Sequence, residues 1–457
     1  MPVVTAQRRL NCYYERRDDG DKTRVAIIGT PGMALEFTLS APPRGLLPGL
    51  TSLYAVVNDS FLELTQAGVT LGSGTLSTAT GNVSIARSPS QVVTVDGSDG
   101  WTWESGALTQ ITSAGFPNGA QTVVFVGGYF VCESPGSQQF FVSDSFDAMT
   151  WNALAFASAS QYPGQLVAVD GLTGNLLLMC SDHLEFWQNV GATPEPFQPI
   201  LSATSEYGLA AIWSRAHVAN ALHFLSTSQQ GGIQVCRVTG YLVEVISTPD
   251  IDRIMGAMDT VSDAEGNGYV VGAHGMYQLT FPTENRTFLF DSHSGLWSEM
   301  QSGVPTGDFQ RHKGQWVAAL GRKTFVTDYS TGAVCSFSET TYTDNGDTIV
   351  REVVTRHVNQ DYDVATIDEL YLDMETGVGL SSGQGSDPQI MCQVSKDNGH
   401  TWQTERWVAL GAMGNYFTRV IWRTWGSARD FVFRFRMTDP VKFVITEGAL
   451  KARGRAQ

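Results

Sequence analysis

The residues from Ser395 to Trp402 (SKDNGHTW) fit the spacing S-x-D-x-G-x-T-W. Such an Asp box has two possible uses. A carboxylate and two hydroxyls within seven residues could serve a glycan-binding or glycan-cleaving protein, although in sialidases and the many other β proteins that carry such boxes the box lies far from the active site. The simpler use is structural: Asp397 and Ser395 fix a tight hairpin, Gly399 supplies the turn, and Trp402 plugs the sheet beneath. A sialidase also needs three arginines on one carboxylate, a Tyr–Glu nucleophile pair and a general acid. No Arg-Ile-Pro segment or other pattern in the chain picks these out. The box is therefore read as a folding device, with a glycan-binding or sialidase-like propeller kept as the alternative reading.

Other candidate chemistry is weaker. Gly379-Leu-Ser381-Ser-Gly383 matches G-x-S-x-G by letter, but no apolar strand leads in and no helix signal follows, so a nucleophile elbow is not expected. Gly72-Ser-Gly74 and Gly377-Val-Gly379 lack the strand-to-helix setting of a phosphate loop. The eight histidines form no H-x-x-x-H and join no cysteine pair at zinc spacing. Six cysteines stand far apart, mostly in apolar runs such as LLLMC, and read as buried free thiols. No catalytic residue, cofactor site or metal site is assigned. The N-terminus shows no signal-peptide core and no apolar run reaches about 18 residues, so a soluble protein made in a cytoplasm is expected.

The elements that would carry such residues are strands. Met276–Phe281 and Thr287–Phe290 run apolar around the turn cluster Pro282–Arg286, and Asp291-Ser-His-Ser-Gly295 makes a second turn before Leu296 and Trp297. The turn D-x-x-[ST]-G recurs as Asp170–Gly174 and Asp328–Gly332, each time after an apolar strand, with Asp96–Gly100 as a looser copy. Strand-turn units repeat every ~40–50 residues between Leu53 and Val334, the spacing of propeller blades. Helix signals are few. Pro249–Met258 after Ser247-Thr248 is one short candidate, and Tyr207–Ala219 a weaker one.

Beyond the polar linker Ser338–Asp347 the strands lengthen: Ile349–His357, Ile367–Met374, Gln389–Ser395, Thr401–Leu410, Phe417–Trp425, Asp430–Met437 and Val441–Glu447. The expected fold is all-β: a β-propeller of six or seven blades with an additional C-terminal β-sandwich-like domain. The expected division is 1–45 as an N-terminal arm with the first strands, 46–338 as the propeller and 339–457 as the C-terminal antiparallel domain.

Charge narrows the partners. Charged residues make up only 16% of the 457, below the ~25% usual for soluble domains. The net charge of −16 argues against a general nucleic-acid binder. From Gln403 to Gln457, ten Lys or Arg stand against four Asp or Glu, a net of +6 that leaves −22 on the first 402 residues. In FVFRFR, alternation puts Phe431, Phe433 and Phe435 on one face, with Arg434 and Arg436 on the other. With Arg419 and Arg423, these two arginines are the candidate contacts to an acidic partner.

Several stretches carry a family likeness: Arg9–Tyr14 (RLNCYY), Gly29–Gly32 (GTPG), Gly119–Trp151, Met276–Trp297, Thr341–Gly346 (TYTDNG), Asn398–Gly414 and Arg419–Pro440. In this order along one chain they resemble the packaged-DNA stabilisation proteins of short-tailed bacteriophages, also called tail hub or nozzle proteins. The resemblance implies a structural virion protein and not an enzyme. Its members form a six-fold ring at the distal end of the portal and adaptor stack, each subunit a propeller with an added β domain. The implied partners are further copies in a homo-hexamer, the adaptor ring, tail fibres or tailspikes, a tail plug or needle, and packaged DNA passing without sequence-specific binding. The implied location is the virion tail, assembled in the host cytoplasm.

Overall fold

The structure, a computed structural model, describes residues 8–19, 22–228, 231–304, 309–359 and 363–454. The first seven residues of the expected N-terminal arm, and Asp21, lie outside the described residues. The chain forms two compact units. One takes in the described residues up to Ala34, then Asn285–His312 and the chain from Phe337 on; the other is Leu35–Glu284 with Lys313–Ser336. Among the described residues no helix is long and apolar enough to cross a membrane.

The second unit is a β-propeller. Among its described residues, seven antiparallel sheets follow one another in chain order. The first blade runs Pro43–Pro48, Leu53–Val57, Ser60–Leu64 and Thr70–Thr75. The second runs Ser84–Arg87, Val92–Val95, Gly100–Glu104 and Ala107–Gln110. Asp144 and Asp147 close the last hairpin of the third, Gln139–Asp144 with Asp147–Ser158. The fourth contains the apolar strand Asn175–Cys180, buried over five of its six residues. The inner strands pack side by side around the axis: Pro43–Pro48 against Ser84–Arg87, then Val123–Val126, then Leu166–Leu172, and Ala216–Val218 against Glu265–Val271. Glu265–Val271 and Gly314–Leu320 continue the ring, and Gly314–Leu320 returns to Pro43–Pro48.

Apolar seams fill the space between blades. Phe61 and Val56 of the first blade pack with Val92 and Trp103 of the second. The seventh and first blades share a seam of Leu53, Leu64, Phe325 and Val334. The chain start closes the ring there: the Gly32–Thr38 strand lies beside Ala333–Ser338, and Glu36 accepts from Ser336 Oγ (2.7 Å) and Lys323 Nζ (2.6 Å). The axis leaves no room for side chains at certain points. A Cβ on Gly266 would lie 2.0 Å from Ser214 O, and one on Gly268 would lie 2.2 Å from His217 O.

The other unit is a β-sandwich. One sheet orders Arg286–Asp291, Leu296–Met300, Arg9–Leu10, Arg351–Val354, Val432–Met437, Gln389–Ser395 and Arg406–Ala409. The second orders Cys12–Asp19, Lys22–Gly29, Val444–Gly454, Ala365–Met374 and Val420–Ala428. Phe431, Phe433 and Phe435 do face inward, with Trp422, Trp425, Ile367 and Ile390.

Two sequence expectations change in detail and a third holds. Within the expected extended arm, Cys12–Asp19 and Lys22–Gly29 form a hairpin inside the sandwich, where Ile27 pairs with Ile445; the alternation of Tyr14, Val25 and Ile27 was masked by the neighbouring charges. The expected helix after Thr248 forms over Pro249–Met255, capped by Thr248. Tyr207–Ala219 does not form a helix: two short strands flank the 3-10 turn Ile212–Ser214, because the strand Ala221–Ser228 of the fifth blade claims their backbone bonds.

Candidate functional site

The four candidate arginines occupy two different sheets of the sandwich. Arg434 and Arg436 point away from the core on Val432–Met437, as alternation requires. Cross-strand register then selects their partners. Arg436 stands opposite Glu352 and donates to its Oε2 at 2.6 and 3.0 Å. Glu352 is also 3.9 Å from Arg8, whose guanidinium donates to Glu299 at 2.8 and 3.0 Å. Arg286 reaches the other oxygen of Glu299 at 2.9 Å. Arg286, Glu299, Glu352 and Arg436 thus form a ladder across four strands, joined through Arg8, which leads into the fifth strand Arg9–Leu10 between them. Arg434 stands opposite Gln393, donates to its Oε1, and stacks 4.3 Å over the Trp402 ring.

Arg419 and Arg423 belong to the second sheet. Arg423 sits on Val420–Ala428, stays 64% exposed and reaches Glu369 at 3.2 Å. Lys451 lies 3.8 Å from the same carboxylate. Arg419 is exposed at the end of the loop leading into that strand. The structure therefore joins Arg434 to Arg436 and keeps Arg419 and Arg423 apart from them. The partners Glu352, Glu299 and Arg8 escaped the sequence reading, since only strand register brings residues 344 positions apart in sequence together.

The Asp box is a turn. Ser395 Oγ donates to Asp397 Oδ1 at 2.7 Å and accepts from Gly399 N at 2.8 Å, while Thr401 N donates to Asp397 Oδ1 at 2.8 Å. The bonds from Thr401 and Ser395 hold the Asp397 carboxyl well below the usual range. Every oxygen contact serves the loop that presents Trp402 to Arg434. The G-x-S-x-G letters fall in a loop between the strands Ala365–Met374 and Gln389–Ser395, with no helix after them. Among the described residues no group of three or more His, Cys, Asp or Glu could hold a metal ion, and all six cysteines are buried and free.

The propeller axis holds a cavity of about 170 Å³, lined by Leu46, Ile85, Ile212, Trp213 and Trp316, with Arg215 as its charged residue. Trp213 and Trp316 meet edge to face, 6.1 Å between centroids, and Trp316 Nε1 donates to Pro43 O at 3.1 Å. The Arg215 guanidinium is committed to Val169 O at 2.7 Å and Asp170 at 3.0 Å. His217 joins Asp170 at 2.8 Å, and although burial opposes it, these two cations hold the Asp170 carboxyl down at about 2. Trp213 and Trp316 thus give the axial cavity an aromatic wall, and among the described residues that line it there is no carboxylate.

Off the axis, buried charge serves the contacts between blades. Glu133 accepts from Gln121 N, Thr122 N and Thr122 Oγ1, and Thr122 Oγ1 accepts in turn from Val169 N of the next blade at 3.1 Å. Burial pushes Glu133 up to about 7 in spite of these donors.

Comparison with known families places the whole architecture. Residues 26–342 match the family described as bacteriophage P22 Gp10, beta-propeller. Residues 350–453 match its companion, bacteriophage P22 Gp10, beta-sandwich. The chain belongs to the P22 Gp10 family. Both halves of the Gp10 architecture are present and in the same order, so the expected propeller and sandwich stand. No curated protein matches the chain.

Solved structures give only loose likenesses. The computationally designed Ika8 protein is 10% identical with a TM-score of 0.39, covering 72% of this chain and 99% of its own. The N-terminal domain of Nup159 is also 10% identical, with a TM-score of 0.41 over 72% of this chain and 99% of its own. PorZ, a surface component of the type-IX secretion system of Porphyromonas gingivalis, is 12% identical with a TM-score of 0.37, over 83% of this chain and 46% of its own.

Proposed function

We propose that this Gp10 family member is a structural subunit of the tail of a short-tailed bacteriophage. In this reading it forms a six-fold ring that closes the DNA channel after packaging, retains the genome, and anchors fibres or tailspikes and a plug or needle. It is not an enzyme. The observation that carries the reading is the paired match, propeller over 26–342 and sandwich over 350–453, to one phage protein.

Physical features support it. Trp213 and Trp316 meet at the axis of the propeller, which favours a DNA path between subunits over one through a single subunit. A net charge of −16 suits a channel wall that repels DNA and so lets it leave without sticking. The sandwich faces bearing Arg423 and the Arg434–Arg436 pair suit an acidic partner, the adaptor ring first. Negative-stain images of the purified chain and of virions provide the test. Six-fold rings at the tail are expected, and a monomer absent from the virion would overturn the reading. Loss of tail assembly on reversing the charges of Arg423, Arg434 and Arg436 is the expected result for the adaptor contact.

A further inference from the structure

Two loops of the sandwich are built against each other. Gly377 N donates to Leu410 O and Gly414 N to Gly377 O, both at 3.1 Å, and Thr376 Oγ1 donates to Tyr416 O at 3.0 Å. Gly377 has φ +73, and a Cβ there would lie 2.8 Å from the Tyr416 ring. The bracing holds out an apolar tip. Met413, Tyr416 and Phe417 are 62%, 68% and 96% exposed. An ordered loop that keeps a phenylalanine fully in water marks a contact surface. Arg419, exposed, follows two residues later.

The propeller offers the complement. A groove of about 310 Å³ opens between its first and second blades, walled by Leu50, Tyr54 and Trp103 and carrying Glu63, Glu104 and Arg87. Leu50 is 79% exposed at its rim. Glu63 is held by Ser52 Oγ (2.8 Å), Tyr54 OH (3.4 Å) and Trp103 Nε1 (3.1 Å), and Glu104 accepts from Gln91 Nε2 at 3.1 Å. Two carboxylates against one guanidinium leave the groove acidic beside an apolar wall. The tip is apolar beside a cation, within a segment of net +6 on a chain whose other 402 residues carry −22. One chain thus holds both halves of a heterologous contact, the kind that closes rings.

We propose that the tip of one copy seats in this groove of the next copy. Phe417 lies against Leu50 and Tyr54, and Arg419 faces Glu63 and Glu104. The contact rests on the ring reading above and gives it a surface. The test is sedimentation of the full chain, wild type and variants. Phe417→Asp, Arg419→Glu and Glu104→Arg each reduce the ring to single chains, with the melting temperature unchanged as the check on folding. Combining Arg419→Glu with Glu104→Arg in one chain restores the ring. Mixing Phe417→Asp copies with Glu104→Arg copies yields dimers and nothing larger, since each retains one working surface. A wild-type ring that survives all three single changes overturns the groove contact and leaves the ring reading standing. So does a surviving ring whose Phe417→Asp form loses binding to anionic vesicles or to the adaptor, which reassigns the tip. A wild-type chain that stays monomeric overturns both.

Discussion

Among the described residues each unit buries one arginine, and the two are treated in opposite ways. In the propeller, Arg44 is 8% exposed, and its guanidinium donates to the carbonyls of Asn58, Thr78, Thr80 and Gly81 and to Thr78 Oγ1. In the sandwich, Arg351 is 1% exposed, and none of its three nitrogens has a hydrogen-bond partner among the described residues. The Tyr342 ring at 5.7 Å is its aromatic neighbour. A charge that gathers loop carbonyls fixes the loops between blades. A charge without such partners costs desolvation and returns little. Propeller blades are joined by many turns whose carbonyls need donors, whereas sandwich stability comes from a continuous apolar core.

Changes at these sites break or sharpen the contrast. Arg44→Met strips donors from four carbonyls and should cost about 3–5 kcal/mol in denaturant unfolding; a loss near zero would erase the distinction. Glu133, another buried ionisable group of the propeller, should show in pH. Its folded pKa of about 7 stands above the ordinary 4.5, so the folded state holds the proton longer. Stability from this group is full below pH ~4.5 and falls as pH rises toward 7, by about 3 kcal/mol in all. The melting temperature of Glu133→Gln relative to wild type should therefore rise between pH 5 and pH 8.

Arg351→Met should leave the sandwich unchanged or more stable, by up to about 4 kcal/mol. A large loss would show that Arg351 has a role its surroundings do not reveal. Gly29→Ala sharpens the same point from the other side. Its Cβ would fall 2.4 Å from Arg351 Nε, and the change should cost about 1–3 kcal/mol. Pairing it with Arg351→Met should recover most of that cost. Smallest of all, Arg423→Ala on the exposed face should cost under about 1 kcal/mol, and less at high salt.

Turn chemistry was the most legible part of the fold. Asp291 accepts from His293 N at 2.9 Å, and Gly295 takes φ +69, as D-x-x-[ST]-G requires. Asp328 accepts from Ser330 N at 2.8 Å in the same way. Asp170 departs from its copies: Gly171 N donates to it, but its carboxylate turns to Arg215 and His217, residues no local pattern connects to it. The Cys12–Asp19 hairpin was hidden for a related reason, since its place in the sandwich is set by a partner strand near the far end of the chain.

The sequence by itself determined what depends on neighbours along the chain. Strand alternation sent Phe431, Phe433 and Phe435 inward and Arg434 and Arg436 outward, and Gly, Asn and Asp placed the turns. Tertiary structure decided what depends on register and closure. It set Arg436 on Glu352 and Arg423 on Glu369, drew Trp213 and Trp316 together at the axis, and held Gly266 against Ser214. The physical reason is range. Backbone preference and the strand period of two act over a few residues, while pairing between distant strands is selected only when a whole sheet finds its core.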